Sequence, residues 1–408
     1  MSATYSERQP GVSAKLARIS HVWLAPVAVA VFVSRVIIWV AGVAGAQRGG
    51  RVAGWRTIDP TGITQSYGHL GNLLLAPALR WDALGYLSIA THGYAHSTTV
   101  FYPGYPLTMA GLGWVIGSDV VAGLLVSIVA FGVGLWLLHR LTELELGRPA
   151  ADGVVLLLAF APLSLFFTAL YTESLFFALS VGAIYAARRE RWALAGLLVA
   201  VATVTRVTGI ILLAPIALWQ LQRYRRPSRQ MAWLLPAPAA LAGFMVYMHA
   251  LGYGWLAPYR NEQSVRHFGG PWTTLFDAIK AFGHGVSATL GGTRPIAPSI
   301  AGPFSGAFES IVLLVVLGIA VAALVATFRR LPLAYGVYAL LALLVAVSTN
   351  TGFQPLYSVD RYILTLFPLW MAAAAWLSER RLLKPAVLIG AALLAFYSFE
   401  FATWAFIA

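Results

Sequence analysis

Long apolar runs interrupted by short basic clusters dominate the chain. A run of about 20 apolar residues is long enough, as a helix, to cross a hydrocarbon core of about 30 Å. The first such run extends from about His21 to Ala44. It lacks a small-residue cleavage site and reads as a first helix rather than a removed signal. The clusters are Arg8/Lys15/Arg18, Arg140/Arg148, Arg188/Arg189/Arg191, Arg223/Arg225/Arg226/Arg229, Arg329/Arg330 and Arg380/Arg381/Lys384. Cytoplasmic loops collect such residues, so placing all six clusters on one side requires an even number of crossings in each interval. Two crossings in each of five intervals, plus a final helix at about 385–406, predict eleven, with the N-terminus cytoplasmic and the C-terminus outside.

Parity also marks the irregular segments. Between Arg18 and Arg140 lie three apolar stretches, and the middle one (about 103–118) is short and contains Pro106, Gly111, Gly113 and Gly117. Read as an interfacial or re-entrant helix, it leaves residues 46–119 as a long first outer loop. Between Arg191 and Arg223 there is room for only about 24 Å per crossing. That pair is expected to turn below the outer surface near Thr205-Arg206-Val207-Thr208-Gly209. A second long outer loop, about 252–308, contains Trp255, Pro258, Arg260, Arg266, His267, Trp272 and Arg294, and a shorter one spans about 350–362.

Composition agrees with this picture. Of 408 residues, 59% are hydrophobic and 11% charged, with a mean hydropathy of +0.75; a soluble domain carries about 25% charged residues. We therefore expect an all-α polytopic membrane protein, one integral-membrane domain over residues 1–408. The absence of cysteine excludes disulfides and thiolate chemistry. The net charge of +13 resides in the clusters between apolar runs, which argues against nucleic acid as a partner. The Arg, Ala, Val and Gly usage suggests a GC-rich bacterial source and hence a bacterial plasma membrane. No internal repeat of the inverted-repeat transporter type is evident.

Candidate chemistry concentrates in the first outer loop. In Leu79–Tyr94, apolar residues at 84, 87, 90 and 94 follow Asp82 at helical spacing, an amphipathic helix at the interface. Asp82 has two readings: a cap for that helix, or a carboxylate at the membrane mouth available as a general base. Trp81, Tyr86, Tyr102 and Tyr105 supply aromatic surface nearby, or an interfacial belt. In Phe167–Ser174, Thr172 can cap a descending helix and Glu173 complement its dipole. Arg206 and Arg361 are cations in apolar sequence, where charge is expensive and commonly faces a cavity or partner; Arg35 in the first helix is similar. His92 and His96 have metal-ligand spacing but no accompanying carboxylate, so no metal site is expected. An outer carboxylate, embedded arginines and an aromatic mouth suit transfer of a sugar from a lipid phosphate, with inversion at the sugar carbon.

The stretch Arg80-Trp81-Asp82 to Ile89-Ala90, then His92-Gly93-Tyr94, then Phe101-Tyr102-Pro103-Gly104-Tyr105-Pro106, resembles the first luminal loop of the PIG-V family. Tyr171-Thr172-Glu173-Ser174-Leu175-Phe176 and Thr203-Val204-Thr205-Arg206 with Gly209 resemble two further elements of that family, in the same order. A looser match runs from Arg361-Tyr362 to Pro368. The resemblance implies a GT-C-type fold, a polyprenyl-phosphate-mannose donor, and metal-independent, inverting transfer to a glycolipid or glycan acceptor on the non-cytoplasmic face. It also implies a catalytic role for Asp82. Arg80, Trp81, Tyr86, Tyr94, Tyr102, Tyr105, Tyr171, Glu173, Arg206 and Arg361 would then bind substrate, and no cofactor is expected. The sequence departs from the family at Gly85, where His is frequent, and at Ala95-His96-Ser97, where an acidic residue is frequent. Rival readings are a lipid-linked-sugar transporter, or the same fold with a different polyprenyl-phosphate sugar.

Overall fold

A computed structural model describes residues 12–48, 59, 62–290, 306–351 and 355–407. Arg8, Arg294 and residues 49–58 of the expected first outer loop lie outside these, as do the side chains of Lys15 and Arg18. The chain is helical almost throughout: α1 (Val12–Arg48), α2 (Gly68–Leu75), α3 (Asp82–His92), α4 (Gly104–Ile116), α5 (Asp119–Leu146), α6 (Arg148–Ala159), α7 (Glu173–Arg188), α8 (Trp192–Thr205) and α9 (Leu213–Tyr224). There follow α10 (Pro236–Ala250), α11 (Ala257–Val265), α12 (Pro271–Leu290), α13 (Gly306–Arg330), α14 (Leu333–Ala346), α15 (Val359–Leu364), α16 (Phe367–Glu379) and α17 (Leu383–Ala402).

This is an all-α polytopic membrane protein. Among the described residues, five helical segments are long and apolar enough to cross a bilayer: Pro26–Arg48, Asp119–Leu146, Arg229–Ala250, Glu309–Arg330 and Leu383–Ala402. Shorter helices (α6, α7, α8, α9, α14 and α16) occupy the other six positions where crossings were expected. Local chemistry sets their ends. The Ser118 hydroxyl accepts from the Val121 N–H at the start of α5, and Gly147 at φ 81° ends it. Pro149 sits in the first turn of α6, where its missing N–H costs nothing. Glycines permit close helix contacts: a methyl on Gly134 would lie 2.5 Å from the Phe177 ring.

The bundle has two chemically distinct ends. At one, ion pairs join the basic clusters across helices: Arg188–Glu145 (2.5 Å), Arg223–Glu190 (2.9 Å) and Arg330–Glu379. The Tyr335 hydroxyl also donates to Glu145 (2.9 Å). The clusters of α5, α7, α9, α13 and α16 thus share one end. The helix starts bearing Glu173 and Phe367 lie at the other, about 22 Å away along α7 at 1.5 Å per residue.

At that other end, α2, α3 and α4 form a helical cap within the expected first outer loop. The buried face of α3 comprises Ala83, Tyr86, Leu87 and Ile89 rather than the expected 84/87/90/94 stripe. Tyr86 turns inward against Tyr105 and Tyr171, so a helix covered on several sides buries a rotated and wider face. A two-residue antiparallel pairing, β1 (His267–Phe268) with β2 (Thr349–Asn350), fastens the second outer loop beside the segment that leads to α15. Backbone N–H groups of Gly269 and Gly270 extend it by donating to Ser348 O.

Candidate active site

A cleft opens at the cap end. Its walls come from four separated segments: Trp81-Asp82; Phe166 and Tyr171; Tyr357-Ser358 with Arg361; and Phe401, Phe406 and Ile407. Arg266 adds a cation from the second outer loop.

Asp82 is held there by a strained turn. Trp81 adopts φ 54° and ψ −121°, a conformation that costs a non-glycine residue about 1–3 kcal/mol and persists only where its surroundings over-determine it. Several contacts do so. The Trp81 indole donates to Ala405 O (3.2 Å) and packs edge-on against Trp404 and Phe406. The Tyr171 hydroxyl donates to Arg80 O and accepts from the Asp82 N–H, each at 3.2 Å. Arg80 donates to Ala402 O (3.1 Å) and Leu79 O (2.8 Å) and stacks over Trp404. Trp81 holds the N-cap position of α3 without capping it through its side chain, and Asp82 is the first helical residue. The Asp82 carboxylate instead meets Arg361 Nη1 at 2.8 Å and remains 37% exposed on the cleft.

Behind it lies a buried charge network. Glu173, fully buried at the start of α7, accepts through Oε1 from Arg361 Nε (2.6 Å) and Arg206 Nη1 (2.5 Å). Arg206 also donates to the Thr172 hydroxyl (3.3 Å) and lies over the Tyr362 ring at 5.0 Å. Arg361 lies over Tyr171 at 4.7 Å and Phe166 at 5.3 Å. Two guanidiniums and two carboxylates balance to zero net charge.

Arg206 reaches this point because α8 ends at Thr205. Arg206 itself is extended (φ −148°, ψ 135°), and a 3₁₀ turn over Val207–Leu212 leads into α9. The expected turn near Thr205–Gly209 is therefore present. Gly209 makes it possible: a Cβ there would stand 2.5 Å from Ala202 C and Thr203 N.

The remaining predicted residues fall around the cleft rather than on it. Tyr86 forms a second layer, its ring 6.4 Å from Tyr171. Tyr105 is fully buried, donating to Gly123 O (3.0 Å) beside Ser127. Tyr94 donates to Phe101 O (2.9 Å), and both Tyr94 and Tyr102 pack against Phe244. Arg80 faces the C-terminal backbone. Gly85 faces Phe101, whose ring would lie 2.2 Å from an added Cβ, so a histidine there would require Phe101 to move. Burial pushes the Tyr357 phenol up and that of Tyr102 up to about 12, keeping both neutral. Among the described residues, no three His, Asp or Glu side chains are grouped to hold a metal.

Arg266, Tyr357 and the 401–407 segment were not predicted as site residues. Arg266 and His267 had drawn notice only as polar residues of a long outer loop. Nothing local marks the aromatic tail, which meets Arg80 and Trp81 from more than 320 positions away.

The polytopic helical bundle, with a carboxylate–arginine cleft at one end, is that of an integral membrane protein. Residues 60–236 match the family model described as mannosyltransferase (PIG-V), and over this segment, a little under half of the chain, the protein is PIG-V-like. It is 34% identical over 147 residues to GPI mannosyltransferase 2 of Cryptococcus neoformans (33% of this chain, 34% of that protein). It is 32% identical over 155 residues to GPI alpha-1,6-mannosyltransferase 2 of Cricetulus griseus (34% of this chain, 30% of that protein). The chain thus spans about a third of the length of the curated relatives it matches. Asp82, Tyr171, Glu173 and Arg206 lie inside the matched region, whereas Arg266, Tyr357, Arg361 and the tail lie outside it.

Proposed function

We propose that this protein is an inverting glycosyltransferase that moves a mannosyl residue from a polyprenyl-phosphate-mannose donor to a cell-envelope glycolipid or glycan. The observation that carries this reading is the Asp82 carboxylate, partly exposed on an aromatic-walled cleft and ion-paired through one oxygen to Arg361. With Oδ2 engaged by Arg361, Oδ1 is assigned to the acceptor hydroxyl. Asp82 takes that proton as the acceptor oxygen bonds to the anomeric carbon and the carbon–oxygen bond to the phosphate breaks. The electron pair leaves on the phosphate, already a stable anion, so no second acid is required. Single displacement inverts the anomeric centre. No metal or organic cofactor is assigned a role.

The basic end is placed in the cytoplasm and the cleft on the non-cytoplasmic face of a bacterial plasma membrane, following the distribution of arginine. The fold is read as GT-C-type.

The test is transfer by purified protein in nanodiscs, given labelled polyprenyl-phosphate mannose and a total lipid and glycan extract. Wild type should yield a labelled product. Asp82→Asn, which keeps shape and removes the base, should lose about a hundred- to ten-thousandfold in turnover while still binding donor. Retained turnover in the variant would overturn the role of Asp82. Donor binding without product in any extract would favour a lipid-linked-sugar transporter.

A further inference from the structure

We propose that Arg266 is the residue that binds the donor phosphate, a role resting on the lipid-phosphate-sugar reading above. Arg206 and Arg361 are the obvious cations of the site, but their charge is already committed. Both donate to one oxygen of Glu173, and Arg361 also holds Asp82. Drawing either arginine onto an added phosphate would weaken its hold on Glu173, which is fully buried, or on Asp82.

Arg266 is placed differently. It follows α11, at the bend into β1, and lines the same cleft as Asp82 and Arg361. Its carboxylate contact is Glu262 at 3.4 Å, one helical turn earlier; Arg266 is 15% exposed and Glu262 46%. The contact is long, and water reaches its acidic side. Neutral groups hold the rest of the guanidinium: it donates to the hydroxyls of Tyr362 and Ser358 and lies over the Tyr357 ring at 5.0 Å. A guanidinium has five N–H donors; Glu262, Tyr362 and Ser358 face three of them, which leaves two for a ligand. Arg361 meets its carboxylate partner Asp82 within the cleft lining, whereas Glu262, the partner of Arg266, is not part of that lining. The β1–β2 pairing fastens the loop that carries Arg266, so the cation is positioned before a ligand arrives.

Binding, rather than transfer, tests this directly. Purified protein in zwitterionic nanodiscs is titrated with a polyprenyl monophosphate and with the uncharged polyprenol of equal length. Wild type should prefer the phosphate by about tenfold or more, the scale of one charge-assisted hydrogen-bond pair. Arg266→Gln should lose most of that preference with polyprenol binding unchanged. Arg266→Lys, which keeps the charge but not the fork, should fall between the two. If the Gln variant does not fold, an unchanged preference in the Lys variant would sink the proposal. A Gln variant that keeps the wild-type preference would overturn the role of Arg266 and leave the proposed activity standing. A wild type that fails to distinguish phosphate from alcohol would overturn the lipid-phosphate reading itself. Equal competition by inorganic phosphate, or loss of binding in phosphatidylglycerol nanodiscs, would make the site a general anion contact and overturn its assignment to the donor.

Discussion

Both ends of the bundle pair arginine with glutamate; at the basic end Glu145 beside Arg188 is 6% exposed, but the other pairs stand in water, whereas the cleft pairs are largely buried. At the basic end, Arg223 and Glu190 are 61% and 51% exposed, and Glu379 beside Arg330 is 58% exposed. Water and ions compete for such pairs, which contribute little. At the cleft, Glu173 is fully buried, with Arg206 and Arg361 at 12% and 10%. There the charges have lost their hydration and depend on one another. Residue type alone does not separate an adhesive surface pair from a site; burial and the number of charges sharing one partner do.

The largest consequence of that difference is expected at Glu173. Glu173→Ala leaves two mostly buried guanidiniums without their shared acceptor, and removing one partner of a buried pair costs about 3–5 kcal/mol. Chemical denaturation in detergent should show a loss of that size. Arg206→Met placed on top of Glu173→Ala should recover part of it, since one stranded charge is gone. If the double variant is no more stable than the single, the charge-balance account of the cleft fails. Next in size is Gly209→Ala. It forces a methyl against the α8 backbone where Arg206 is aimed, and over-packing of this kind costs about 1–3 kcal/mol. Transfer should drop with it, because the displaced element carries Arg206; stability lost with transfer unchanged would show that the turn is structural only.

Much of the cleft end was legible in the sequence, because its residues sit in contiguous, chemically odd stretches. A carboxylate after Trp81, an acidic residue opening an apolar helix, a cation between two short crossings and a cation at the top of a descending helix each violate the apolar pattern around them. Those violations led to Asp82, Glu173, Arg206 and Arg361. The basic end was legible as well, since the charge clusters that parity placed together are joined by ion pairs. Aromatic residues were not sorted in the same way. Tyr105 stands in the same stretch as Asp82, yet its hydroxyl is used up by Gly123 O and Ser127. The converse holds for Phe406 and Tyr357, which stack on each other in the cleft wall but read as ordinary apolar or loop residues. The placement of Phe406 follows from how the last helix packs against the first, a long-range property without local trace.

The smallest predicted effect gives the sharpest contrast between the two ends. A double-mutant cycle on Arg330 and Glu379, each changed to Ala, should return only a small coupling, although the guanidinium reaches both carboxylate oxygens. It should shrink as salt rises, because the Debye length falls from about 10 Å at 0.1 M to about 3 Å at 1 M. The same cycle on Arg206 and Glu173 should give a larger coupling that barely responds to salt, since little solvent reaches that pair. Equal couplings with equal salt dependence would mean that the cleft charges are as hydrated as those at the basic end. The physical basis for treating Glu173 as the fixed centre of the site would then be lost.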